Sequence, residues 1–146
     1  MGVPITTVLE HKGSQVATVV PNDTVADVVV ALREHRIGAL VVIDDAGAVI
    51  GIVSERDVVR HLAGVGGKVL DLRVSDVMTS PVHACEPSNT TDELMEQMTE
   101  RRIRHLPVVH DGRLVGIVSI GDVVKWRFEE LREEKQHLED YVAGSY

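Results

Sequence analysis

A chain of 146 residues has room for one compact domain, or for two small repeats sharing a core. A formal net charge of −8 opposes nucleic-acid binding, which relies on cations displacing counterions, and 3% aromatic residues supply no base-stacking platform. No apolar run reaches membrane-spanning length, no secretory signal is legible before Lys12, and Cys85 is the single cysteine, so the composition reads as a soluble cytoplasmic protein in a reducing compartment.

In chain order, residues 15–20 form a β-branched run ending at Pro21, which predicts a strand. Thr24 then opens a helix with Val25, Val28, Val29 and Leu32 at amphipathic spacing. Residues 39–43 and 48–53 are apolar strands separated by an Asp/Gly turn, the pattern of a hairpin, and a second helix runs from Ser54 to about Leu62. Gly64, Gly66 and Gly67 mark a flexible connection, and residues 74–78 a short turn of helix. The same order then returns as a strand at 83–86, a helix at 90–101, strands at 106–109 and 114–118, and a helix after Ser119. That last helix continues to about Val142, with Val124, Phe128, Leu131, Leu138 and Val142 forming a heptad-like seam broken at Lys135. Such a seam predicts a homodimer through the C-terminal helix; the alternative is folding back onto the stripe of Ile5, Val8 and Leu9.

The return is a repeat in the strict sense. Gly-Ile-Val-Ser-Glu-Arg-Asp-Val-Val at 51–59 recurs as Gly-Ile-Val-Ser-Ile-Gly-Asp-Val-Val at 116–124, an offset of 65 with seven of nine positions identical. Upstream, Pro21, Thr24, Arg36, Ile37, Leu40 and Val42 recur at offset 66 as Pro87, Thr90, Arg102, Ile103, Leu106 and Val108, so one residue is dropped in the hairpin turn.

The paired Gly-Ile-Val-Ser-x-x-Asp endings, the Arg-Ile-x-x-Leu-x-Val centres and the Asp-Val-Met-Thr linker closely resemble paired cystathionine-β-synthase (CBS) domains, over residues 12 to about 125. The resemblance implies an α/β (α+β) fold of two β-α-β-β-α repeats packed with pseudo-two-fold symmetry, plus a long C-terminal helix. The corresponding division is a first repeat with N-terminal segment at 1–65, a linker at 66–80, a second repeat at 81–125 and a helical extension at 126–146. It also implies clefts between the repeats that bind adenosine derivatives: AMP foremost, with ADP, ATP, NAD(H) or S-adenosylmethionine as alternatives.

Ser54-x-x-Asp57 and Ser119-x-x-Asp122 can be read in two ways. As capping boxes they need no ligand, and Thr24 with Asp27 and Thr90 with Glu93 read the same way. As binding elements, each follows a close-packing glycine, Gly51 or Gly116, and a strand that runs into a helix N-terminus suited to phosphate, with the Asp placed to accept from ribose hydroxyls. The resemblance gives ribose and phosphate roles to Ser54, Arg56 and Asp57, and to Ser119, Gly121 and Asp122. Arg104 and His105 replace Gly38 and Ala39 of the first repeat, which predicts a cation-enriched cleft at Asp122 and a difference in ligand preference between the clefts. By the family pattern, Lys12, Gln15, Ala17, Ile37 and Gly38 surround the base in the Asp122 cleft. Met78, Pro81, His83 and Ile103 do so in the Asp57 cleft, and Ala39 completes the set. Lys12 and Gln15 read equally as exposed polar residues, and Ile37 and Ile103 as core.

Other chemistries lack their residues. The stretch from Gly64 to Lys68 has neither the spacing nor the hydroxyl of a phosphate-binding loop, no His-Glu-x-x-His occurs, and Cys85 has no cysteine partner, so no metal site is expected. The reading is a non-catalytic adenine-nucleotide sensor that acts on an unidentified protein target, without nucleic acid or membrane. The alternatives are a nucleotide hydrolase or transferase using Asp57 or Asp122 with His105, and a structural oligomerisation module with empty clefts.

Overall fold

The computed structural model describes residues 2–144. Capping fixes where its helices begin. Thr24 accepts from the Asp27 N–H at 3.2 Å and Asp27 accepts in return from the Thr24 N–H at 3.0 Å, opening α2 (Val25–His35). Thr90 accepts from the Glu93 N–H at 3.3 Å to open α5 (Thr91–Arg101), but the Glu93 carboxylate turns to the Asn89 side chain at 2.7 Å. Both helices stop at an arginine in the left-handed region, Arg36 and Arg102, each with φ 54°. That conformation is unfavourable for an L-residue, and it is compensated by return bonds of 3.1 Å from the Ile37 N–H to the Leu32 carbonyl and from the Ile103 N–H to the Met98 carbonyl. The repeated Arg-Ile pair is thus the helix stop of each repeat.

Two antiparallel hairpins follow these stops, β2 (Ala39–Ile43) with β3 (Val49–Ser54), and β4 (His105–His110) with β5 (Arg113–Ser119). Register shifts fall at matching places, Val42/Ile43 and Val108/Val109. The dropped residue lies in the turns: Asp44 Oδ1 accepts from the N–H groups of Ala46 and Ala48, whereas Asp111 and Gly112 both take positive φ and close a tighter turn. β3 leads into α3 (Glu55–Val65), and β5 into α6 (Ile120–Gly144).

The first strand of each repeat is shorter than its sequence suggests. β1 (Thr18–Val19) covers part of the expected 15–20 and pairs parallel with β2, and the expected strand at 83–86 contracts to one parallel bridge, Cys85 to Val108. The bridge matches the pairing of Val19 with Val42 at offset 66. Prolines at 81 and 87, which have no N–H to give a ladder, bound the second version closely. The second helix of the first repeat is longer than expected and takes in Gly64, and Gly66–Asp71 forms a 3-10 helix where a flexible connection was expected.

Packing crosses the division drawn from sequence. Residues 5–12, grouped there with the first repeat, form α1 (Ile5–Lys12), and its Ile5 and Val8 are fully buried in the second core with Cys85, Leu94, Met98, Leu106, Val108, Val118 and Val123. The Ile5 N–H bonds the Asn89 carbonyl at 2.8 Å. Conversely, residues 66–80 are more than a linker: the 3-10 helix and α4 (Val74–Val77) supply Val69, Val74 and Val77 to the first core, beside Val19, Val25, Val28, Leu32, Leu40, Val42 and Val53. Cys85 occupies the second repeat's version of the Val19 position, and burial pushes its thiol up to about 12. It is a packing residue of the second core.

α6 has 25 residues against 11 in α3, and its far turns leave the body of the molecule: Phe128 is 64% exposed and Tyr141 75%. The stripe offered by Ile5 and Val8 is spent in the second core, so the fold-back alternative does not occur. α1 meets α6 near its start instead, where His11 stacks edge-on to Trp126 at 5.0 Å. No helix among the described residues is long and apolar enough to cross a membrane.

Candidate functional site: two clefts between the repeats

Both Ser-x-x-Asp elements are complete capping boxes. The Ser54 hydroxyl accepts from the Asp57 N–H at 3.4 Å while Asp57 Oδ2 accepts from the Ser54 N–H at 2.8 Å; the Ser119 and Asp122 pair does the same at 3.2 and 2.9 Å. The first amide of each helix is also taken, Glu55 N–H by the Gly38 carbonyl at 3.0 Å and Ile120 N–H by that of Arg104 at 2.8 Å. The open helix terminus expected for phosphate is therefore narrowed: of the first three amides, the first and third already have acceptors.

Capping does not exhaust the two aspartates. Asp57 is 6% exposed, and its other oxygen accepts from the Thr79 hydroxyl at 3.2 Å. Asp122 instead pairs with the Lys12 ammonium at 2.5 Å, both side chains remaining partly exposed. Burial, the largest single influence, pushes the Asp122 carboxyl up, but bonds from Lys12 and Ser119 together outweigh it and hold the group below its ordinary range. Asp27, by contrast, is a fully exposed cap.

Two cavities lie beside these elements, both in the size range of small-molecule sites. One, of about 740 Å³, is walled by Lys12, Gln15, Val16, Ala17, His35, Arg36, Ile37, Gly38, Ala39, His105, Ile117 and Ser119. The other, of about 580 Å³, is walled by Gly38, Ile52, Ser54, Glu55, Arg56, Asp57, Val59, Arg60, Thr79, Arg102, Ile103, Arg104 and His105.

Of the residues named for it, the first cleft brings together Lys12, Gln15, Ala17, Ile37, Gly38, His105 and Ser119, and it takes in Ala39 as well, whereas Asp122 and Gly121 stand off its wall and Asp122 meets it through Lys12. The second brings together Ser54, Arg56, Asp57 and Ile103. Arg104, expected at the Asp122 cleft, lines the Asp57 cleft instead, and His105 borders both. Met78, Pro81 and His83 line neither. Residue 79 is held against β3 by paired bonds with Ile52, of 2.8 and 3.1 Å, so the chain carries Thr79 to the cleft and turns Met78 onto Gly51. Pro81 is exposed beyond that crossing, and His83 lies outside, its ring nitrogens 2.9 Å from Arg101 Nη1.

The sequence profile of the CBS domain matches residues 12–64 and 74–129. The chain belongs to the CBS domain family. It is 40% identical over 129 residues to the CBS domain-containing protein CBSX3, mitochondrial, of Arabidopsis thaliana, an alignment covering 86% of this chain and 63% of that protein. For an uncharacterized protein of Methanopyrus kandleri, 33% identical, the chain spans 54% of the relative's length. The crystal structure of ATU1752 from Agrobacterium tumefaciens is 47% identical, covers 87% of this chain and 95% of its own, and superposes with a TM-score of 0.83. The CBS domain pair of MJ0100, solved in complex with methylthioadenosine and S-adenosyl-L-methionine, has a TM-score of 0.79 over 89% of this chain and 99% of that one; at 23% identity this likeness establishes the fold alone.

Within this CBS pair, several wall residues went unread in the sequence. Ile52 and Ile117 are a repeated pair whose equivalence was visible but whose facing was not, and Thr79 ends the Asp-Val-Met-Thr linker. His35, Arg36, Glu55, Arg60 and Arg102 carry no local signal that separates a cleft wall from an exposed charge. Among the described residues, no group of three or more His, Cys, Asp or Glu is placed to hold a metal.

Proposed function

We propose that this CBS pair is a non-catalytic sensor of adenine nucleotides, with AMP the first candidate and ADP, ATP, NAD(H) or S-adenosylmethionine as alternatives. The observation that carries this reading is the charge of the clefts: in a chain of net charge −8, Lys12 and Arg36 line one, and Arg56, Arg60, Arg102 and Arg104 the other. Apolar walls from Val16, Ala17, Ile37 and Ile117 suit a base, and the cations suit a phosphate. Adenosine compounds in the MJ0100 pair are consistent with this choice. Ribose hydroxyls would bond Asp57 directly, and Asp122 once Lys12 turns from it to the phosphate.

A thermal-shift panel of these nucleotides tests the reading. A ligand at about 100 times its dissociation constant adds about 2.7 kcal/mol of stability. No shift with any of them would favour an oligomerisation module, and turnover of any would favour an enzyme. Asp122→Ala should lower ribonucleotide affinity on the folded protein; a capping role alone would cost about 0.5–2 kcal/mol of stability and leave affinity untouched.

The signal passes to a protein target, and the working form in this proposal is a cytoplasmic homodimer. Val59, Leu62 and Val65 on α3, and Val124, Phe128 and Leu131 on α6, leave apolar side chains exposed, and Leu138 and Val142 extend the second set. Sedimentation of the full chain and of Leu138→Glu tests this: a wild-type monomer at tens of micromolar would end the dimer proposal.

A further inference from the structure

Residues 38–39 and 104–105 are equivalent by the repeat, and there a titratable side chain stands where the first repeat has alanine. The His105 ring leans across to Gly38: a Cβ at Gly38 would lie 3.5 Å from its Cε1 and 3.6 Å from its Nε2, and 3.1 Å from Glu55 Oε1. Gly38 and His105 are common to the walls of both cavities. One imidazole, seated against the backbone of the opposite repeat, therefore faces both clefts.

The charges around it are mixed. Lys12 on α1 and Arg104 beside it in the chain oppose a proton on the ring, while Asp122 on α6 and Glu55 on α3 favour one; His35 and Arg36, at the end of α2, border one of the two cavities, and Arg56, Asp57, Arg60 and Arg102 the other. Burial foremost, then Lys12, holds the imidazole below its ordinary value, so it is neutral at pH 7.

Resting on the nucleotide reading above, we propose that His105 couples the two clefts: a phosphorylated ligand in either draws a proton from solvent onto the shared imidazole, and the imidazolium then favours an anion in the other. The opposite charge of a nearby phosphate is what makes protonation favourable, and linkage makes the effect reciprocal. Adenosine, which brings no charge, exerts none of this coupling.

Calorimetry of AMP and of adenosine at about pH 6.5, in two buffers of different ionisation enthalpy, tests it on the wild-type chain and on His105→Gln. For wild type we expect uptake of a fraction of a proton with AMP and none with adenosine. The second AMP should gain about fivefold or more in affinity relative to the first, and uptake and gain should both vanish in His105→Gln. Should the variant fold poorly, the ring of His105 followed by NMR in the wild-type chain must titrate higher with AMP than without. AMP binding without proton uptake, uptake unchanged in His105→Gln, or a single AMP per chain overturns the coupling alone. Absence of AMP binding overturns the nucleotide reading and the coupling together.

Discussion

Asp57 and Asp122 are the same residue of the same capping box in two copies of one fold, yet beyond the cap their carboxylates meet different partners, Asp57 through its other oxygen and Asp122 through the capping oxygen itself. Asp57 meets a neutral hydroxyl, Thr79, on an extended crossing; Asp122 meets a cation, Lys12, on the last turn of a helix. Neither partner belongs to the repeated strands and helices. The segments that precede each repeat occupy equivalent places, with Ile5 and Val8 against one core and Val74 and Val77 against the other. α1 then continues as helix where α4 ends and the chain becomes extended. A tandem repeat can thus hold its frame constant while the flanking segments set the chemistry of each cleft.

The largest test of that equivalence is in the cores. Leu40 and Leu106 are fully buried counterparts, so Leu40→Ala and Leu106→Ala should each cost about 2–5 kcal/mol by chemical denaturation. A small loss for either would mean that the two cores are not equally close-packed.

The glycines sharpen the contrast between the flanking segments. An added Cβ at Gly51 would come within 3.0 Å of the Thr79 carbonyl, which is fixed to β3, as well as meeting Met78; at Gly116 it would meet the methyl ends of Leu9, which can rotate. Gly51→Ala should cost about 1–3 kcal/mol and Gly116→Ala less; equal thermal losses would erase the distinction.

Ligand selectivity comes next. Arg104→Ala should weaken AMP by about tenfold at the Asp57 cleft, the wall that Arg104 lines, and leave adenosine nearly unchanged. Lys12→Met should do the same at the other cleft. Calorimetry resolving the two sites decides the matter, and a larger Arg104 effect at the Asp122 cleft would reverse the assignment drawn from the structure.

The smallest effect is in pH dependence without ligand. The folded-state pKa of His105 lies below its unfolded value of 6.5, so the unfolded chain binds more protons between the two. Stability from this group is in full above about 6.5 and is lost as pH falls through the folded value. Relative to wild type, His105→Gln should show a shallower loss of melting temperature across that window; an unchanged slope would assign the acid sensitivity to other groups.

The sequence by itself determined the repeat, the order of elements within it and the capped helix starts, while the residues named for the first cleft's wall came from the family resemblance. Those features are local: period, turn chemistry and the Ser-x-x-Asp spacing act within a few residues, and an offset of 65 or 66 makes each visible twice. Tertiary structure decided which segment packs on which core. Ile5 and Val8 form an apolar stripe that any hydrophobic surface could bury, and it is the second repeat, some eighty residues away, that does so, through contacts such as the bond from the Ile5 N–H to Asn89. Met78 and Thr79 are neighbours that alternate to opposite sides of an extended chain, so the bridge to Ile52 sends one to Gly51 and the other to Asp57. Arg104 and His105 part in the same way: both were legible as cations added to the second repeat, but the facing of β4 against Gly38 determines that one reaches a single cleft and the other both.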